Sequence, residues 1–170
     1  MPFVAPYHGG VRAEVVLLFQ DPGRMTYQAV GGSGFIGCEN DDPSADTLAL
    51  CLDLAGVDQR QVTPWNAYPW YLPEQAGVSA AQRVEGVDAL HCVLQLLPMT
   101  HTVVTCGAVA HDSWRRFAHA YPESAGRLRH FETFHTSGRG ITNGGKQKKA
   151  EGVARVVATI AGAVTRPGPL

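Results

Sequence analysis

The sequence predicts an α/β protein, a three-layer αβα arrangement around a central, mainly parallel four-stranded sheet. Apolar runs of strand length, Val15-Val16-Leu17-Leu18 and Thr102-Val103-Val104-Thr105-Cys106, alternate with longer stretches of helical periodicity. Serine, glycine and proline stand where such elements should start and stop. Strands separated by helices need crossover connections, and the crossovers cover both faces of a parallel sheet.

Residues 14–19 form the first strand, with the unbroken apolar character of a strand buried on both faces. Residues 44–55 form a helix with Ser44 as N-cap, one face carrying Leu48, Cys51, Leu52 and Ala55, and Gly56 ending it. Residues 61–63 are a short strand stopped by Pro64. A long amphipathic helix covers residues 79–97, capped by Ser79 and stopped by Pro98. Residues 102–106 are the second clear strand, after which Gly107 turns the chain into a helix over about residues 108–120. A fourth strand at 130–134 and a closing helix at 145–164 complete the pattern, and the Pro/Gly-rich tail 166–170 is expected to fray.

The 170 residues suit one domain, residues 1–170, and 45% hydrophobic with 17% charged content excludes disordered and collagen-like classes. No apolar stretch approaches the roughly 20 residues that span a bilayer. The start Met1-Pro2-Phe3-Val4-Ala5-Pro6 lacks the basic and apolar regions of a secretory leader. The expectation is an intracellular, cytoplasmic monomer with no membrane partner. Cys38, Cys51, Cys92 and Cys106 are widely separated, without a Cys-x-x-Cys pair or a nearby histidine at ligand spacing. No metal, cluster or other cofactor is therefore expected, and Cys51 and Cys106 read as small buried hydrophobes.

Net charge is only −1, yet it is unevenly spread. Arg127, Arg129, Arg139, Lys146, Lys148, Lys149 and Arg155 crowd the C-terminal third, whereas residues 39–58 carry six acids and no lysine or arginine. That polarity suits a protein meeting phosphate on one side, although lysines at a helix start also serve solubility alone.

Two loops hold the chemistry. Gln20-Asp21-Pro22-Gly23 follows the first strand and Phe134-His135-Thr136-Ser137-Gly138-Arg139-Gly140 the last. The carboxyl ends of parallel strands face one crevice, so these loops can bring a carboxylate and an imidazole to one pocket for acid/base or electrostatic work. The glycine-rich stretch Gly31-Gly32-Ser33-Gly34-Phe35-Ile36-Gly37 has no Gly-Lys-Ser/Thr ending and no strand directly before it, which argues against a nucleotide phosphate loop. Each residue also has a plain structural use. Asp21 suits an Asp-Pro-Gly turn, Asn66 a turn or cap, Phe35 the core, and His135 a strand end. Trp65, Tyr68, Trp70 and Tyr71 suit core packing or a pocket wall.

Taken together, Gln20-Asp21-Pro22-Gly23, Gly34-Phe35-Ile36-Gly37, Pro64-Trp65-Asn66 and His135-Thr136-Ser137-Gly138-Arg139 resemble, in order and spacing, the motifs of the uracil-DNA glycosylase superfamily. The resemblance covers roughly residues 15–163. It implies a metal-free DNA glycosylase that flips a deaminated base, uracil foremost, and hydrolyses its glycosidic bond, with damaged DNA, single or double stranded, as partner. It assigns Asp21 to the sugar and the attacking water, and His135 to a carbonyl of the base as a neutral donor. Gln20 and Gly23 bind the substrate, Phe35 stacks on the base and Asn66 reads its edge. Ser137, Gly138, Lys146 and Lys148 meet phosphates, and Arg139 fills the gap left by the flipped base. Gly23 stands where strict uracil enzymes carry a tyrosine that excludes the thymine methyl, and Thr136 stands where proline is usual. The iron-sulfur branches begin their four cysteines with a close pair, which this chain lacks. A catalytically weak, base-recognising relative and a glycosidase of free nucleosides or nucleotides are the alternatives.

Overall fold

The structure, a computed structural model, describes residues 1–72, 77–138, 141 and 146–165. Its elements are β1 (Phe3–Val4), β2 (Val15–Phe19), β3 (Phe35–Ile36), α1 (Pro43–Leu54), β4 (Val62–Asn66), α2 (Ala80–Gln95), β5 (Thr102–Cys106), α3 (Ala108–Ala120), α4 (Pro122–Gly126), β6 (Arg129–Thr133) and α5 (Lys146–Val164). The two most apolar runs become the inner strands of a four-stranded sheet ordered β4-β2-β5-β6, parallel throughout. Every residue of β2 and β5 is buried.

Strand alternation splits β2 between two cores. Val15, Leu17 and Phe19 pack with Leu48 and Leu52 of α1 and Val156 and Ile160 of α5. Val16 and Leu18 face the other way, against Leu90 of α2 and Trp114 and Phe117 of α3. The result is three layers, α1/α5, sheet and α2/α3. Each fully buried aliphatic side chain contributes roughly 1.5–3 kcal/mol, so this double burial anchors the strand that launches the Gln20-Asp21 loop.

The structure corrects several expected boundaries. Pro64 does not stop its strand, because β4 is at the sheet edge, where a residue without an N–H is tolerated, and pairing continues through Leu17↔Pro64 to Phe19↔Asn66. Gln61 belongs instead to a 3₁₀ turn closed by a capping box with Asp58. The N-cap of α1 is Asp42 rather than Ser44: its Oδ1 accepts from the Ser44 and Ala45 N–H groups at 2.9 and 3.0 Å, and Pro43 takes the first helical position. Ser79 caps α2 as expected, with its own capping box. The last strand is one residue earlier than expected, which leaves Phe134 in the loop with His135. The tail 166–170 lies outside the described residues.

A second sheet was not foreseen. β1 and β3 pair in parallel, Phe3 beside Phe35 and Val4 beside Ile36. Two-residue strands leave no periodicity to read.

Candidate active site

The strand ends are level with one another. Phe19 pairs with Asn66, Leu18 with Thr105 and Cys106 with Thr133, so the residues that follow all emerge at one edge of the sheet. From β2 the chain moves outward to β4, and from β5 it moves the other way to β6, making the β2/β5 boundary the switch point at which such sheets open a crevice. Pairing runs on beyond the strands. Ala67 N–H donates to Phe19 O at 2.8 Å and Tyr68 N–H to Gln20 O at 3.0 Å, which fixes the start of the Asp21 loop. Helix α2 closes on the same segment so tightly that a Cβ on Gly86 would lie 1.8 Å from the Ala67 carbonyl oxygen.

A cavity of about 130 Å³ opens there, and Asp21, Gly23, Asn66 and His135 all line it. A cavity of about 150 Å³ accepts benzene, so this one is on the scale of a single six-membered ring. Burial raises the Asp21 pKa above its ordinary 3.8, a hydrogen bond from Gln20 offsetting part of the rise. The carboxylate is therefore a stronger base than a solvated aspartate. An added Cβ at Gly23 would meet nothing within 4 Å, so this side of the opening is free of protein atoms.

His135 is held from three directions. Its Nδ1 accepts the Ser137 N–H at 3.0 Å. Its ring meets Phe19 edge-on at a centroid distance of 5.4 Å. Its Cβ sits 3.0 Å from where Gly107 would carry one, and Gly107, at φ +92°, has the left-handed backbone that glycine adopts freely. Burial lowers the His135 pKa from 6.5, with the negative charge of Asp42 acting weakly in the opposite direction. A neutral ring whose Nδ1 is an acceptor carries its proton on Nε2, so His135 is a donor there.

Asn66 is buried and its Nδ2 has no hydrogen-bond partner. An unmet buried donor costs about 1–3 kcal/mol, a cost removed when a ligand acceptor reaches it.

Phe35 stands apart from these. It does not line the cavity; Ile36 and Gly37 do. Successive strand residues face opposite ways, and with Ile36 turned to the cavity Phe35 turns outward, 40% exposed, its ring 6.3 Å from that of Phe3. Gln20, Ser137 and Gly138 border a wider groove that shares Asp21, Gly23 and His135 with the cavity. Lys148 is exposed in the first turn of α5, which Lys146 begins. Arg139 lies outside the described residues. Of the other basic residues, Arg129 donates to Gly162 O and Arg155 covers the Phe134 ring at 4.9 Å. Trp65 is core, and Tyr71 stacks on Tyr27 at 4.2 Å.

Asn40 and Asp42 are polar wall residues that the sequence reading did not place at the site. Asn40 donates to Phe35 O at 2.9 Å and accepts from Ser33 Oγ at 2.7 Å, tying down the glycine-rich segment from the cavity side. Asp42 lines the cavity while capping α1, and the Asp-Pro pair at a helix start is the signal that could have found it. Among the described residues no three His, Cys, Asp or Glu side chains are grouped to hold a metal ion. Cys38, Cys51, Cys92 and Cys106 are free thiols, and burial pushes the Cys38 and Cys51 pKa values to about 12 and about 11. No helix of the described residues is long and apolar enough to cross a membrane.

No protein-family model matches the chain. No curated protein matches it by sequence. Among solved structures it is similar to the crystal structure of wild-type Pedobacter heparinus SMUG2, with a TM-score of 0.59 and 14% identity over 89% of this chain and 74% of that one. The likeness shows the fold alone: an α/β chain with a parallel four-stranded sheet flanked by helices.

Proposed function

We propose that the chain is a monofunctional DNA glycosylase that takes a deaminated base, uracil foremost, out of DNA and hydrolyses its N-glycosidic bond to leave an abasic site. The observation that carries this is the meeting of Asp21, Asn66 and His135 at one ring-sized cavity, with His135 held as an Nε2–H donor. The fold shared with SMUG2 supports it at the level of architecture.

Breaking the bond between C1′ and the base nitrogen leaves positive charge on the sugar and negative charge on the base. Asp21 faces the sugar, stabilises the cationic centre and takes a proton from the water whose oxygen bonds to C1′. The base departs with the electron pair, and its carbonyl oxygen is met by the His135 Nε2–H. The free Asn66 Nδ2 donates to the base edge, the mode of reading expected of enzymes that extrude a base. Gly23 leaves room beside the base, so substrates bulkier than uracil enter. Gln20 is assigned to the substrate beside Asp21, Ser137, Gly138, Arg139, Lys146 and Lys148 to the strand around the flipped nucleotide, and Phe35 to the rim of the cavity. The protein works without metal or cofactor.

The test is incubation of the purified protein with labelled oligonucleotides bearing uracil, hypoxanthine, xanthine or thymine mismatches, single and double stranded, with alkali revealing abasic sites. Cleavage that disappears in Asp21→Asn establishes the activity and names the base. Binding without cleavage on every substrate would make the protein a recognition module, and release of base from free nucleosides alone would make it a nucleosidase.

A further inference from the structure

His111 lies in the first turn of α3, and helical side chains lean toward the helix N-terminus, so it reaches back over the turn that joins β5 to α3. Its Nε2 lies 3.2 Å from Thr105 O and 3.0 Å from Thr133 O. One N–H shared in this way ties the end of β5 to the end of β6. Thr133 O also accepts the Gly107 N–H at 2.9 Å, so both lone pairs of that carbonyl are in use. Thr133 is two residues before His135, and Gly107 is the residue against which the His135 Cβ rests. Nδ1 of His111 faces Glu132 Oε2 at 3.8 Å.

We propose that His111 is a positioning residue for the reaction assigned above: it clamps the two strand ends from which the Gly107 turn and the His135 loop depart, and so sets where His135 presents its Nε2–H. This rests on the glycosylase reading for its consequence in catalysis, but the clamp itself does not. The same strands are joined a second time by Thr105 Oγ1, which lies 2.9 Å from His130 Nε2 and donates to Phe131 O at 3.3 Å. Loss of His111 therefore leaves the sheet paired and frees only the loop.

The variants are His111→Ala, which removes the donor, and His111→Gln, which restores an N–H of similar reach. A misplacement of about 1 Å in a catalytic group can cost about 10²-fold, and a loosened loop is expected to cost kcat about tenfold in His111→Ala while KM for a uracil oligonucleotide stays within about twofold. His111→Gln recovers most of the rate. The second readout needs no substrate: the imidazole ¹⁵N spectrum of His135 shows a fixed Nε2–H tautomer in the parent and a mixture in His111→Ala. An unchanged His135 spectrum in His111→Ala overturns the proposal whatever the activity. So does an unchanged kcat beside an active parent. An inactive parent whose His135 spectrum still responds to His111→Ala leaves the clamp standing and removes the glycosylase reading.

Discussion

The cavity wall built from strand ends and the wall built from the glycine-rich segment hold their side chains by different means. Asn66 ends strand β4, and Asp21 and His135 follow strands β2 and β6; the registers leave these strand ends level, and their direction is set by a sheet buried on both faces. Ile36, Gly37 and Asn40 belong to a two-residue strand and the turn after it, aimed by pairing with Phe3–Val4 and by the Ser33–Asn40 hydrogen bonds. A strand-end residue is thus placed by its own neighbours in sequence, and a ribbon residue by a partner about thirty positions away. Substitutions on the two walls should differ in kind: loss of chemistry on the first, loss of shape on the second.

The largest effect is expected on the first wall. Asp21→Asn removes the base and the anion at once and should lower kcat by about 10²–10⁴-fold while oligonucleotide binding persists. The same change should raise the melting temperature at neutral pH. The folded Asp21 pKa is raised by burial, so its stabilising effect is complete below the unfolded value and is lost as pH rises through the folded one. The neutral amide avoids that cost. A variant that melts lower and turns over normally would remove Asp21 from the reaction and return it to turn chemistry.

The pH profile sharpens the division of roles. Asp21 acts ionised, with a raised pKa, and His135 acts neutral, with a lowered one, so kcat/KM falls on the acid side as each takes up a proton. The part of the acid limb due to His135 should lie below pH 6.5, where an ordinary histidine is already half protonated. If the limb that His135→Gln removes is centred at or above pH 7, His135 is not the buried neutral donor.

Gly107→Ala comes next and strikes the first wall from behind. The added methyl meets the His135 Cβ at 3.0 Å and stands on a backbone at φ +92°, a strained combination costing about 1–3 kcal/mol. The expected result is a lower melting temperature together with a lower kcat. A rate loss without any stability loss would mean that the loop shifts to relieve the contact, and wild-type values in both would show the contact to be slack.

How far the two walls could be read in advance follows from the same contrast. The apolar runs of β2 and β5, the Ser79 cap and the Gly107 turn gave the layers, because each acts within a few residues of itself. Asp21 and His135 were legible as loop residues after strands, whereas Asn66, expected beyond a strand stopped by Pro64, is the last paired residue of β4. Pro64 misled because whether a proline is tolerated depends on lying at the sheet edge, a property of strand order rather than of local sequence. His111 was passed over because its partners are carbonyls of two strands, and backbone groups carry no mark in a sequence. Phe35 and Ile36 are adjacent, and only the pairing with β1 decides which of them turns inward.

The smallest effects are expected on the second wall, and there the two neighbours should behave unequally. Asn40→Ala releases the Phe35 carbonyl and the Ser33 hydroxyl and should cost about 1 kcal/mol of stability, with KM raised more than kcat is lowered, because the segment bears on shape. Ile36→Ala removes apolar wall from the cavity and should likewise raise KM. Phe35→Ala takes away a ring that is 40% exposed and touches Phe3 instead of the cavity, so in duplex cleavage it should change kcat/KM less than Ile36→Ala does. If Phe35→Ala proves the more damaging of the pair, the ring reaches the base only when DNA is bound, and the ribbon must then rotate to exchange the faces of residues 35 and 36.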